Sequence, residues 1–122
     1  PALLMAETRA YLRILAGENT DVGQILTRAN RVLSEDIGSE RFVTLLFVML
    51  DPKVKTICYA SAGHPPGLWL DRKGKPKPEL TRTGIPLGLR PDTQYVASDE
   101  ITLKKGGLDA RKTTINGIII YL

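Results

Sequence analysis

The chain has 122 residues, 43% of them hydrophobic and 25% charged, with a net charge of +4. Those values describe one globular domain, or part of one, and leave no room for a low-complexity or disordered class. No apolar run approaches the roughly 18 residues of a membrane helix. A lone cysteine, Cys58, excludes an internal disulfide, and with no secretory signal in view a cytoplasmic location is expected.

In chain order, residues 2 to 16 read as a helix with Leu3, Leu4, Tyr11, Ile14 and Leu15 among its apolar positions and Gly17 as its stop. Asn19, Thr20 and Asp21 offer side-chain oxygens for the free N–H groups of a second helix. In that helix Ile25, Leu26, Ala29, Val32 and Leu33 fall on one stripe. Gly38 sits in the exit loop. Phe42 to Leu50 is a nearly continuous apolar run, which implies a strand covered on both faces. Asp51-Pro52-Lys53 is turn chemistry, and Thr56 to Ser61 reads as the antiparallel return. Gly67 to Leu70, carrying Trp69, is a short strand, and Asp71-Arg72-Lys73-Gly74 is the next turn. Tyr95 to Ala97 and Glu100 to Leu103 read as two short strands, or one with a bulge. Beyond a turn at Lys104 to Gly107, residues Leu108 to Asn116 show no period, and Ile118 to Leu122 reads as a final strand. Two helices followed by a β-meander give an α+β class, with a second layer required by the doubly covered strand.

The basic residues Arg72, Lys73, Lys75, Lys77 and Arg82 cluster, but Gly74, Pro76 and Pro78 interrupt them and no aromatic alternates with the charges to stack on bases. A solvated hairpin loop accounts for them better than a nucleic-acid surface. One His and one Cys cannot build a zinc site. The carboxylates at Glu35-Asp36, Asp51, Asp71, Asp92, Asp99-Glu100 and Asp109 could in principle hold magnesium or manganese, yet none lies in a motif with ligand spacing. Ser61 and His64 are three apart, but no nucleophile elbow surrounds them and no carboxylate is placed to orient the imidazole. A turn histidine bonding its own loop fits the local sequence better. Cys58 lies in a strand, where an inert thiol is the default. The residues alone therefore describe an α+β domain without a complete catalytic set.

Ser61-Ala62-Gly63-His64-Pro65-Pro66 is the most distinctive stretch, because its two prolines fix a rigid extended corner after a strand. Together with Pro1-Ala2-Leu3-Leu4-Met5-Ala6, the helix LTRANRVLSED from Leu26 to Asp36, the strand opening Arg41-Phe42-Val43-Thr44-Leu45 and the loop Thr83-Gly84-Ile85-Pro86-Leu87-Gly88, it resembles the SpoIIE/RsbU-type branch of the PPM (type 2C) metal-dependent protein serine/threonine phosphatases. The likeness covers residues 1 to about 106, leaving 107–122 as a divergent segment of one partial domain. It implies an antiparallel β-sandwich flanked by helices, here incomplete, and hydrolysis of phosphoserine or phosphothreonine on a regulatory partner protein, of the kind that antagonises an anti-sigma factor in bacterial signalling. No nucleic acid or membrane contact is implied, and the oligomeric state is left open.

The same likeness implies two manganese or magnesium ions held by aspartates. Their motifs, Asp-x-Ser-Gly-His-Gly and Thr-Asp-Gly, do not occur in this chain. In the family such ions lower the pKa of a water and clamp the phosphate. The expectation is thus a chain that holds no metal of its own and is inactive alone, or alternatively a non-catalytic pseudophosphatase interaction module. By motif position His64, Gly63, Gly84 and Gly88 are the candidates for the substrate side. Both loops also read as plain structural corners.

Overall fold

The computed structural model describes residues 2–36, 41–64, 80–102 and 118–121. Two helices, α1 (Ala2–Glu18) and α2 (Val22–Asp36), precede four strands: β1 (Leu45–Asp51), β2 (Thr56–Ala62), β3 (Ile101–Thr102) and β4 (Ile118–Tyr121). The strands form one antiparallel sheet in the order β3-β2-β1-β4.

Helix α1 is built mainly from strong helix formers. It runs through Gly17 to Glu18, one turn position beyond the expected stop, and Asn19 closes it by donating its N–H to the Leu15 carbonyl. The turn into α2 is held by the predicted caps. Asn19 Oδ1 accepts the Asp21 N–H, and Asp21 Oδ1 accepts the N–H groups of Gly23 (2.9 Å) and Gln24 (3.3 Å). The apolar stripe of α2 buries Val22, Ile25, Leu26, Ala29 and Leu33, with Val32 at its margin. Each of its large aliphatic side chains contributes about 1.5–3 kcal/mol relative to an exposed position. Helix α1 packs on α2 through the buried Thr8 and Leu12, while Leu3, Met5 and Ile14 face outward.

Strand β1 is covered on both faces, as its unbroken apolar run requires. Leu45 and Phe47 join the core beneath α2 with Ala60 and Ala62. Leu46, Val48 and Leu50 point the other way, into a second cluster with Ile57, Tyr59, Leu80 and Ile101. The strand starts three residues later than the sequence run. Phe42 is exposed, and Val43 forms an isolated bridge to Leu87. The β1–β2 loop uses Asp51 as expected, its Oδ1 accepting the N–H groups of Lys53 and Val54, and Lys55 closes it with φ 55°.

Two elements depart from the sequence reading. Tyr95 to Ala97 forms no strand; its backbone instead turns toward α2, where the Tyr95 N–H donates to Thr27 Oγ1 at 2.8 Å. Of the strand expected over Glu100 to Leu103, Ile101–Thr102 pair as β3 and Glu100 does not, while Leu103 lies outside the described residues. The predicted final strand is present as β4, on the opposite edge of the sheet from β3. A second sheet, needed for a sandwich, is not found among the described residues. Gly38, the Trp69 strand, the basic cluster at 72–77 and the turns at 71–74 and 104–107 lie outside the described residues, as does the segment 108–116.

Candidate functional site

The site is assembled where β2 ends. Its last residues carry the chain out of the sheet at Ala62, and the loop 83–88 docks against that exit. The Thr83 and Gly84 N–H groups both donate to the Ser61 carbonyl (3.1 and 3.0 Å), and the Gly63 N–H donates to the Gly84 carbonyl at 2.8 Å. Thr83 adds its side chain, accepting the Ser61 N–H on Oγ1 at 2.8 Å. Three of the four candidate residues, Gly63, His64 and Gly84, are therefore in one place.

Gly63 is required there by the backbone. Its φ of +66° lies in the left-handed region, and a Cβ on it would stand 2.5 Å from Pro86 Cγ. The two loops consequently pack backbone to ring with no side chain between them. Gly84 is also constrained, since a Cβ would come within 2.9 Å of the Tyr95 ring. Gly88, the fourth candidate, sits at the far end of the same loop. Its N–H donates to Asn30 Oδ1 at 2.8 Å, while Leu87 exchanges two backbone hydrogen bonds with Val43. The loop is thus pinned at both ends, by β2 at one and by α2 at the other.

Three supporting residues were not among the sequence candidates. Asn30 is fully buried on the stripe of α2; besides Gly88 it serves the Arg90 carbonyl through Nδ2 at 2.7 Å. A polar side chain among Leu26, Ala29 and Leu33 was the available signal. Tyr95 donates its hydroxyl to the Ile85 carbonyl (2.8 Å) and lies 3.1 Å from that of Pro86, and burial pushes its phenol up to about 12. Thr83 gave no signal beyond its place in the loop motif.

His64 is half-buried, and its Nδ1 is buried with no hydrogen-bond partner among the described residues. The rest of the loop it was expected to bond, from residue 65 onward, lies outside the described residues. Ser61 Oγ is likewise buried with no partner among the described residues. Ser61 is opposite Leu46 in the β1–β2 register, on the face away from α2. Arg82 is exposed and donates from Nε to the Gly63 carbonyl at 3.3 Å, which places a guanidinium beside the His64 corner.

Among the described residues no three of His, Cys, Asp and Glu come together, so these residues do not fit a divalent cation pair. An open cleft of about 600 Å³ lies at the other end of the β1–β2 hairpin, lined by Arg13, Gly17, Met49, Asp51, Cys58 and Glu100. Cys58 is half-exposed there rather than buried. Burial pushes its thiol up and Glu100 adds to the rise, which disfavours the nucleophilic thiolate. Ala62 is four residue steps along β2 from Cys58, roughly 13 Å, so the cleft is not part of the His64 corner. No helix among the described residues is long and apolar enough to cross a membrane.

Two of three comparisons with known proteins find relatives of this chain. Residues 1–108 match the family described as Stage II sporulation protein E (SpoIIE), a span that includes both helices, the β1–β2 hairpin and both candidate loops. Over 107 residues the chain is 28% identical to the phosphoserine phosphatase RsbU of Bacillus subtilis (strain 168), which covers 88% of this chain and 32% of that relative. The chain thus spans about a third of the length of the curated relative it matches. No solved structure matches. On the strength of a match that takes in most of its length, with the paired glycine loops docked on each other, the chain belongs to the SpoIIE/RsbU-type family of PPM protein phosphatases.

Proposed function

We propose that this chain is part of a domain that, when complete, hydrolyses phosphoserine or phosphothreonine on a regulatory partner protein of the anti-sigma-antagonist type, and that these 122 residues alone do not turn over. The family match over residues 1–108 supports the reaction class. The single observation that carries the second part is the missing donor set: among the described residues no cluster of carboxylates can hold two cations near each other. In this chemistry a manganese or magnesium pair, when bound, supplies the nucleophilic water and neutralises the phosphate.

The residues of this chain do the positioning. His64, Gly63 and Gly84 stand at the substrate side, with the corner made rigid by the left-handed Gly63 and by the bonds from Thr83 and Gly84 to Ser61. Gly88 and Asn30 keep the distal half of the loop seated on α2. The family match ends at residue 108, and the segment beyond it is given no role in this reading.

A second reading is favoured by the same missing carboxylates: a pseudophosphatase module that binds a phosphorylated regulator without chemistry. A phosphoserine peptide incubated with this chain and manganese separates the alternatives. The proposal expects no phosphate release and no saturable binding of the peptide. Saturable binding without release supports the module, and release at a rate proportional to chain concentration overturns both. In an intact relative, His→Ala at the position matching His64 is expected to lower turnover or raise KM; unchanged values for both remove His64 from the site.

A further inference from the structure

The loop that docks beside His64 has a proline at the point of contact. Pro86 has no backbone N–H to donate, so its ring and the carbonyls on either side of it must fix its place. Both are used. The ring lies against Gly63, the residue before His64, so closely that a Cβ there would stand 2.5 Å from Pro86 Cγ. The carbonyls meet one hydroxyl: Tyr95 Oη is 2.8 Å from the Ile85 oxygen and 3.1 Å from the Pro86 oxygen. A phenol carries a single proton, so the two carbonyls share it and Pro86 is bracketed by one group.

The Tyr95 ring makes a second contact with the same loop. It packs on Gly84, where a Cβ would come within 2.9 Å of it, and the Gly84 carbonyl accepts the Gly63 N–H at 2.8 Å. Tyr95 therefore holds both of the loop residues that touch Gly63. Tyr95 is itself buried and fixed from behind by α2. Its N–H donates to Thr27 Oγ1 at 2.8 Å, and its carbonyl oxygen lies 2.6 Å from where a Cβ on Gly23 would stand.

We propose that Tyr95 is a positioning residue for the His64 corner. Its hydroxyl and ring set where Pro86 and Gly84 stand, and these two set the left-handed Gly63 that presents His64. The role rests on the reading of His64 as a substrate-side group, and it adds to that site a residue from outside both loops.

His64 is the single histidine of the chain, so its Cε1 proton gives one unambiguous NMR signal. Tyr95→Phe keeps the ring and removes the shared proton. At fixed neutral pH this variant is expected to move the His64 signal. Thr27→Val, which belongs to neither loop but removes the acceptor of the Tyr95 N–H, is expected to move it as well. Ile57→Val trims the second core cluster by one methylene and is expected to leave it in place. Amide exchange supplies a second readout. Losing the hydroxyl bond raises opening of the loop alone by about fivefold, so the Gly63 N–H should exchange about fivefold faster in Tyr95→Phe, measured against the Phe47 N–H in mid-sheet. Neither readout involves phosphate release, so a failure of the reaction class shows only in the peptide assay, and a failure of the positioning role only here. A His64 signal that moves no further in Tyr95→Phe than in Ile57→Val, or a Gly63 amide accelerated no more than Phe47, would overturn the proposal.

Discussion

Asn30 joins helix α2 to the loop that carries Gly84 and Gly88, and its replacement gives the sharpest test of how the candidate site is held. In Asn30→Ala the Gly88 N–H, buried and bonded only to Asn30 Oδ1, loses its acceptor. That alone costs about 1–3 kcal/mol. The Arg90 carbonyl belongs to an exposed residue and can turn to water, while the space vacated by the amide adds about 1 kcal/mol. A loss of about 2–4 kcal/mol is expected. Asn30→Asp separates the contributions, because its Oδ1 still accepts from Gly88 but its second oxygen, if ionised, faces the Arg90 carbonyl that Nδ2 now contacts at 2.7 Å. Burial raises the folded pKa of that carboxyl above its unfolded value of about 3.9. The stabilising contribution of the protonated acid, which can donate to Arg90, is fully present below the unfolded pKa and lost as pH rises through the folded one. Urea unfolding followed by circular dichroism should therefore show Asn30→Asp more stable than Asn30→Ala near pH 4, with that advantage shrinking toward pH 7. Both are referenced to the unaltered chain at each pH. An Ala variant within 0.5 kcal/mol of the parent, or an Asp variant whose deficit does not change with pH, would refute the clamp (the threshold is about the scatter of surface substitutions).

Two further outcomes follow from the same loop. Gly63→Ala places a Cβ against the Pro86 ring in a left-handed backbone, and is expected to lower stability by roughly 2–4 kcal/mol in urea titration; an effect below 1 kcal/mol would mean the two loops do not dock as described. Tyr95, held near pKa 12 by burial, has a folded value above its unfolded one, so its stabilisation is complete below pH 10 and declines through pH 12, by roughly 2 kcal/mol at the upper end. Tyr95→Phe should cost about 1 kcal/mol at pH 7 by loss of the hydroxyl bond to Ile85 and should flatten the alkaline limb of the unfolding curve. A variant with the same alkaline slope as the parent contradicts a buried phenol.

What local pattern encodes, the sequence displays. The 3.6-residue stripe from Ile25 to Leu33, the Asp21 cap and the two-sided burial of β1 all depend on neighbours a few residues away, and all are present in the structure. The errors come from partners distant in sequence. Tyr95 to Ala97 has the alternation and residue types of a strand, but the Tyr95 N–H is taken by the Thr27 hydroxyl, and that side-chain acceptor replaces a ladder. Phe42 is as apolar as the strand it precedes, yet Val43 already bonds to Leu87, which ends the sheet pairing and leaves Phe42 outside. Asn30 stands on an apolar stripe for reasons visible only once Gly88 and Arg90 are placed beside it. At the candidate site, motif resemblance brought Gly63 and Gly84 forward separately. That one donates to the carbonyl of the other is a property of the folded loops and not of either motif.

The proposed function requires that this chain hold no cation pair of its own, and among the described residues no three of His, Cys, Asp and Glu come together. Calorimetric titration of the chain with manganese at neutral pH tests it most directly. The account predicts no saturable heat at micromolar metal. Binding of two equivalents with a dissociation constant in the micromolar range would contradict it, since these residues would then have built the cation site themselves.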